Sequence, residues 1–168
     1  MSTVDEGPGP KVNEATELRG IVTTGLGEGT HFMALDWVVD ECRTRLGFTP
    51  CPGTFNLRMC GPHWSQARQR MRSSRGIGLT PAAGFCAARC FPVSIDGQLA
   101  ATGIVPEVPD YPDDKLELIA AVNIREALDL TDGDTVYIRV NFECATSPGQ
   151  WAPDHGGTHP HTHTIDRP

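Results

Sequence analysis

Apolar and polar positions change rhythm several times along this chain, and each change marks an element. Leu18, Ile21 and Val22 lead into the run Gly25-Leu26-Gly27-Glu28-Gly29-Thr30, which predicts a strand over residues 17–24 and then a turn. Between residues 35 and 46 the apolar side chains of Leu35, Val38, Val39, Cys42 and Leu46 recur at intervals of three and four. That spacing puts them on one face of a helix, and Gly47 supplies its stop. Pro50-Cys51-Pro52-Gly53 is a turn, followed by a strand over residues 54–59. Residues 61–74 are polar and basic and predict a loop with a helical piece. Apolar stretches at 85–95 and 99–105 flank Asp96-Gly97, a hairpin signal. A strand over 116–121, a short helix over 124–128, the turn Asp132-Gly133-Asp134 and a strand over 135–142 complete the core. Many strands and few helices predict a mainly β protein whose sheet is closed or nearly closed into a barrel.

Composition narrows the chemistry. The 168 residues suit one domain with tails, and 18 Gly with 14 Pro favour a turn-rich β fold over a helical bundle. A formal net charge of −7 argues against a nucleic-acid binder that works by neutralising phosphates. No apolar run reaches membrane-spanning length, and the polar start is unlike a signal peptide, so a cytoplasmic protein is the expectation. Residues 1–16 read as a polar, mobile leader, 17–145 as the folded domain, and 146–168 as a disordered tail. That tail carries His155, His159, His161 and His163, a set that suits a transition metal but is interleaved with Pro and Gly. The six cysteines (Cys42, Cys51, Cys60, Cys86, Cys90, Cys144) contain no C-x-x-C pair and read as reduced thiols packed as small hydrophobes. Metal sites on Cys51, Cys60 and His63, or on Cys86 and Cys90, are the alternatives.

Two segments carry candidate chemistry. The run Gly25–Thr30 can present backbone N–H groups to a phosphate, because glycine has no side chain to block the approach. Such a run is by itself more often only a turn between strands than an anion cradle. Downstream, Thr54 and Asn56 offer a hydroxyl and an amide oxygen two residues apart, on one side of an extended strand. Hard oxygen donors of this kind suit Mg²⁺, which completes its shell with water and nucleotide phosphates. The chain has neither a G-x-x-x-x-G-K-[ST] segment nor the glycine-loop, lysine and H-R-D set of protein kinases.

GLGEGT, the amphipathic helix, LGFTPCPGTFNL and LELIAAVNIREALDLTDGDTVYIRV together resemble the archaeal CTP-dependent riboflavin kinase family, in the same order and with similar spacing over residues 17–142. The resemblance implies a small six-stranded cradle-loop barrel, related to the riboflavin-synthase-like barrels, with one or two short helices. It implies transfer of the γ-phosphoryl group of CTP to the 5′-hydroxyl of riboflavin, giving FMN and CDP, with Mg²⁺ as cofactor. Gly25, Leu26, Gly27, Glu28, Gly29 and Thr30 would then hold the CTP phosphates; Glu28 stands either as a turn residue or as a group turned to the metal. Thr54 and Asn56 match the family's magnesium ligands. Val122, Asn123, Ile124 and Arg125 occupy its second nucleotide-contacting segment, with Arg125 otherwise a solvated helix charge. Glu117 matches a glutamate on the flavin side and is the candidate for orienting the attacking hydroxyl.

Four positions depart from the family pattern. Thr30 stands where an arginine is common, Ala121 where proline is usual, and Asn123 where a basic residue can occur. The flavin-contacting threonine, eight residues before the glutamate, falls on Pro109, which has neither hydroxyl nor N–H. Phosphorylation of another small alcohol and a non-catalytic nucleotide-binding barrel are therefore carried as alternatives, beside a metal-binding role for the cysteines and histidines.

Overall fold

A computed structural model describes residues 17–25 and 33–143. The expectations for residues 26–30, for both tails and for Cys144 lie outside the described residues. Seven strands are described: β1 (Glu17–Thr23), β2 (Phe55–Cys60), β3 (Ile77–Leu79), β4 (Ala88–Ile95), β5 (Leu99–Pro106), β6 (Lys115–Ile119) and β7 (Thr135–Val140). Helices α1 (Asp36–Glu41), which runs on as a π-helical turn (Cys42–Leu46), α2 (Trp64–Ser73) and α3 (Ile124–Leu128) are described between them. Strands β4, β5, β6, β2, β1 and β7 pair antiparallel in that order, and β7 pairs back onto β4. The expected six-stranded barrel is therefore closed, with β3 pairing to the first residues of β4, Ala88–Cys90, and β7 to its last, Val93–Ile95.

Alternation along the strands fills the barrel. Leu18 and Val22 of β1, Phe55, Leu57 and Met59 of β2, Leu116 and Leu118 of β6, and Val136 and Ile138 of β7 share one buried core. Each fully buried Leu, Ile or Phe contributes about 1.5–3 kcal/mol relative to exposure. Gly20 belongs to this interior: a Cβ there would lie 3.0 Å from Met59 Sδ and 3.2 Å from Leu57 Cδ1.

The outer wall carries a second core. Cys90, Ile104 and Ile119 project outward and are covered by Met33, Val38, Cys42 and Leu46, with Leu79 of β3 alongside. This is the face that the three-and-four spacing of α1 selected, and Gly47 ends the helix at φ 80°. Burial first and the Glu41 charge second push the Cys42 thiol up to about 11, so it packs as a neutral hydrophobe.

Three sequence expectations need correction. Residues 61–74 are mostly helix, because Trp64, Ala67 and Met71 recur at helical spacing and close one end of the barrel. The strand expected to begin at residue 85 begins at Ala88, and β3 was not expected at all; at three residues it is too short to show a period. The hairpin turn is as read, with Asp96 and Gly97 both at positive φ.

Candidate functional site

The strand order β6-β2-β1 brings the candidate residues to one patch of outer wall. Thr23 of β1 is in register with Asn56 of β2, and Asn56 with Glu117 of β6. On the neighbouring strand Ile104 continues the row. The turn before β2 is tied to the end of β6 by the Cys51 N–H donating to the Ala120 carbonyl at 2.8 Å, which sets Thr54 beside Glu117. There the Thr54 hydroxyl donates to Glu117 Oε1 at 3.2 Å.

Asn56 is 7 % exposed, and its amide is oriented by its own turn. Its Nδ2 donates to the Thr54 carbonyl at 3.1 Å and lies 3.4 Å from Thr54 Oγ1. Its Oδ1 is buried without a hydrogen-bond partner among the described residues. A buried carbonyl oxygen left in this state costs about 1–3 kcal/mol unless something else binds it. The Thr54 hydroxyl gives its proton to Glu117 and takes Asn56 Nδ2 on one lone pair, which leaves its second lone pair available. Two hard oxygens two residues apart on one strand face fit a divalent cation such as Mg²⁺ that draws its other ligands from water and phosphate. No cluster of three or more His, Cys, Asp or Glu suited to a metal occurs among the described residues.

Gly25, the first residue of the glycine run, lies directly on Asn56. A Cβ at this position would come within 2.6 Å of Asn56 Nδ2, so only glycine lets the chain pass without displacing that amide. The root of the run is braced from the other side. Arg125 donates to the Thr23 carbonyl at 3.1 Å and to Asp132 at 2.5 Å, and the Thr24 hydroxyl donates to the other Asp132 oxygen. These bonds, Thr24's first and Arg125's second, hold the Asp132 carboxyl below its ordinary value. Backbone bonds from Val22 N to Asp134 O (2.9 Å) and from Gly133 N to Val22 O (2.8 Å) stitch the same turn to β1.

A cavity of about 180 Å³ opens beside this row. Thr54, Val122, Asn123, Ile124 and Arg125 line it, so the structure brings the metal-ligand candidate Thr54 to the 122–125 segment read from the sequence. Asn123 caps α3, its Oδ1 accepting from Glu126 N–H at 3.2 Å. Val122 is exposed and Ile124 is buried.

On the far side of Glu117 the Tyr111 hydroxyl donates to Oε2 at 2.8 Å, and the Lys115 ammonium lies 3.4 Å from Oε1. Burial, and then the Glu117 charge, drive the Tyr111 phenol far above its ordinary value, so it stays a proton donor. Pro109 is exposed and stands apart from Thr54, lining a separate cavity of about 370 Å³ with Arg72, Arg89 and Glu107.

Residues 22–140 match the family CTP-dep_RFKase, described as a domain of unknown function, DUF120. The chain belongs to this family. Among family relatives, it is 38 % identical to a riboflavin kinase of Methanocella arvoryzae over 124 residues, covering 74 % of this chain and 56 % of that protein. It is 34 % identical to a riboflavin kinase of Methanococcoides burtonii over 139 residues (79 % and 60 %), and 36 % identical to one of Methanoregula boonei over 133 residues (75 % and 58 %). The chain thus spans somewhat more than half the length of these relatives.

Reading the family domain from sequence missed Tyr111, Lys115, Thr24 and Asp132. Tyr111 had a signal, as the one aromatic in the proline- and acid-rich stretch 106–114. Asp132 was read only as a turn residue. Of the cysteines, Cys42 and Cys90 do pack as small hydrophobes, whereas Cys60 accepts from Arg19 Nε at 3.2 Å and Cys86 is exposed. No helix among the described residues is long and apolar enough to cross a membrane.

Proposed function

We propose that this domain is a riboflavin kinase that transfers the γ-phosphoryl group of CTP to the 5′-hydroxyl of riboflavin, yielding FMN and CDP. The observation that carries the reading is the in-register row Thr23–Asn56–Glu117, with the orphaned Asn56 Oδ1, the Thr54 hydroxyl on Glu117 and a cavity at the row's edge. The family label and the relatives' names supply the nucleotide and the acceptor.

Phosphoryl transfer has a loose transition state, so the protein's work is to hold donor and acceptor in line and to stabilise charge. Mg²⁺ on Thr54 and Asn56 would supply charge neutralisation at the phosphate oxygens. Backbone N–H groups of residues 25–30 bind the phosphates, and the segment 122–125 takes the base at the cavity wall. Thr30 adds no positive charge, which leaves the work to backbone and cation. Glu117 accepts a hydrogen bond from the acceptor hydroxyl and aims it at the phosphorus.

A second reading, a kinase for another small alcohol, draws on Pro109, whose ring offers no hydrogen-bond donor to an acceptor. One experiment separates them: incubate the chain with Mg²⁺, riboflavin or a panel of polyols, and each of CTP, ATP, GTP and UTP. FMN formation with CTP is expected. Phosphorylation of a polyol but not riboflavin selects the second reading, and no phosphorylated product with any pair removes both.

A further inference from the structure

Glu117 spans the two sides of the site, and its carboxylate is fixed from both. Oε1 takes the Thr54 hydroxyl at 3.2 Å and faces the Lys115 ammonium at 3.4 Å, while Oε2 takes the Tyr111 hydroxyl at 2.8 Å. Lys115 also lies 5.4 Å from the centre of the Tyr111 ring, so the cation and the phenol hold each other. A glutamate on a strand has three rotatable side-chain bonds and no fixed heading of its own. Here it gains one because each oxygen has a different donor, on different elements: the turn before β2 and the segment before β6. Leu116 and Leu118 point into the barrel core, which locks the backbone of β6 but not the outward carboxylate between them. The heading of Glu117 is therefore set by Tyr111 and Lys115 on one side and Thr54 on the other.

We propose that Tyr111, braced by Lys115, is a positioning residue that sets the rotamer of Glu117 and so the line of attack of the acceptor hydroxyl. The proposal rests on the kinase reading above, in which Glu117 meets that hydroxyl. Tyr111 acts through Glu117 and touches no phosphate. Removing its hydroxyl leaves Glu117 held at Oε1 alone, with Oε2 released, which lowers the fraction of bound complexes aligned for transfer. The loss then falls on kcat, and nucleotide binding is untouched.

The test is a double-mutant cycle on the full chain with Tyr111→Phe, Glu117→Ala and the pair, assayed with riboflavin, CTP and Mg²⁺. Tyr111→Phe should lower kcat about tenfold, leave the KM for CTP and directly measured CDP affinity unchanged, and leave the melting temperature at the wild-type value. In the Glu117→Ala background the same change should cost less than about twofold, because the hydroxyl has nothing left to hold. Lys115→Met should give a smaller fall in kcat of the same kind. Wild-type kcat in Tyr111→Phe, or equal losses in both backgrounds, overturns the positioning role while leaving the kinase reading intact. A wild-type chain that phosphorylates no acceptor overturns the kinase reading and this proposal with it.

Discussion

At the β1 side of the site, Arg125 reaches both the Thr23 carbonyl and Asp132, Thr24 bonds the same carboxylate, and two backbone bonds join the 132–134 turn to β1. At the β6 side, residues 107–110 are exposed, and the heading of Glu117 depends on one phenol and one ammonium. The first region keeps its strand register and two main-chain bonds beneath these side-chain contacts, and a side-chain replacement leaves that backbone frame standing. The second is held by side-chain rotamers, which a single replacement can reset. Under the proposed function, a domain arranged in this way can keep its phosphate-handling half while its acceptor half varies, which is where Pro109 departs from the family pattern.

The contrast can be broken hardest at Asn56 and Thr54. Asn56→Ala and Thr54→Ala should each lower kcat/KM for FMN formation by about a hundredfold or more and raise the Mg²⁺ requirement, with circular dichroism unchanged. Normal turnover in both would remove the cation assignment. Next comes Gly25→Ala. The added methyl meets the far end of the Asn56 side chain rather than backbone, so Asn56 swings and the fold stays. About a tenfold loss of activity is expected, with thermal unfolding shifted little. A large fall in melting temperature would instead make Gly25 a packing residue.

Asp132→Asn should act on the nucleotide alone, raising the KM for CTP roughly threefold to tenfold and leaving the KM for riboflavin as it was. Equal changes in both would mean that the two halves are not separable. The smallest effect is that of pH. Because the Asp132 carboxyl is depressed in the folded chain, its bonds to Thr24 and Arg125 contribute fully above the ordinary value of 3.8 and are lost as pH falls below it. CDP affinity should therefore not vary through Asp132 from about pH 8 to about pH 5 and should weaken only in more acid solution. A weakening at acid pH of the same size in Asp132→Asn would assign the effect to another group.

The same contrast explains what could be read from sequence. The first half was legible because backbone rules write it: glycines mark the close approach at Gly25, the Asp132-Gly133-Asp134 turn is a local signal, and α3 spans the residues expected, Ile124–Leu128. Barrel closure followed from the count of strands, although the pairing of β7 with β4 is a long-range fact that no local pattern encodes. The second core was hidden because β4 and β5 are apolar on both faces, so alternation there does not reveal which side is inside. The extent of helix α2, expected only as a helical piece, was hidden by Arg68, Arg70 and Arg72, which surround its buried stripe of Trp64, Ala67 and Met71. Tyr111 was missed because what matters is its partner, and Glu117 comes within reach only through the path of the 107–114 segment.

The most direct measurement is a crystal structure of the chain with Mg²⁺, a non-transferable CTP analogue and riboflavin. The cation is expected on Thr54 Oγ1 and Asn56 Oδ1, the phosphates against Gly25, the base at residues 122–125, and the riboflavin 5′-hydroxyl on Glu117. A nucleotide seated instead in the cavity of Arg72 and Arg89, with Thr54 and Asn56 unengaged, would contradict this placement.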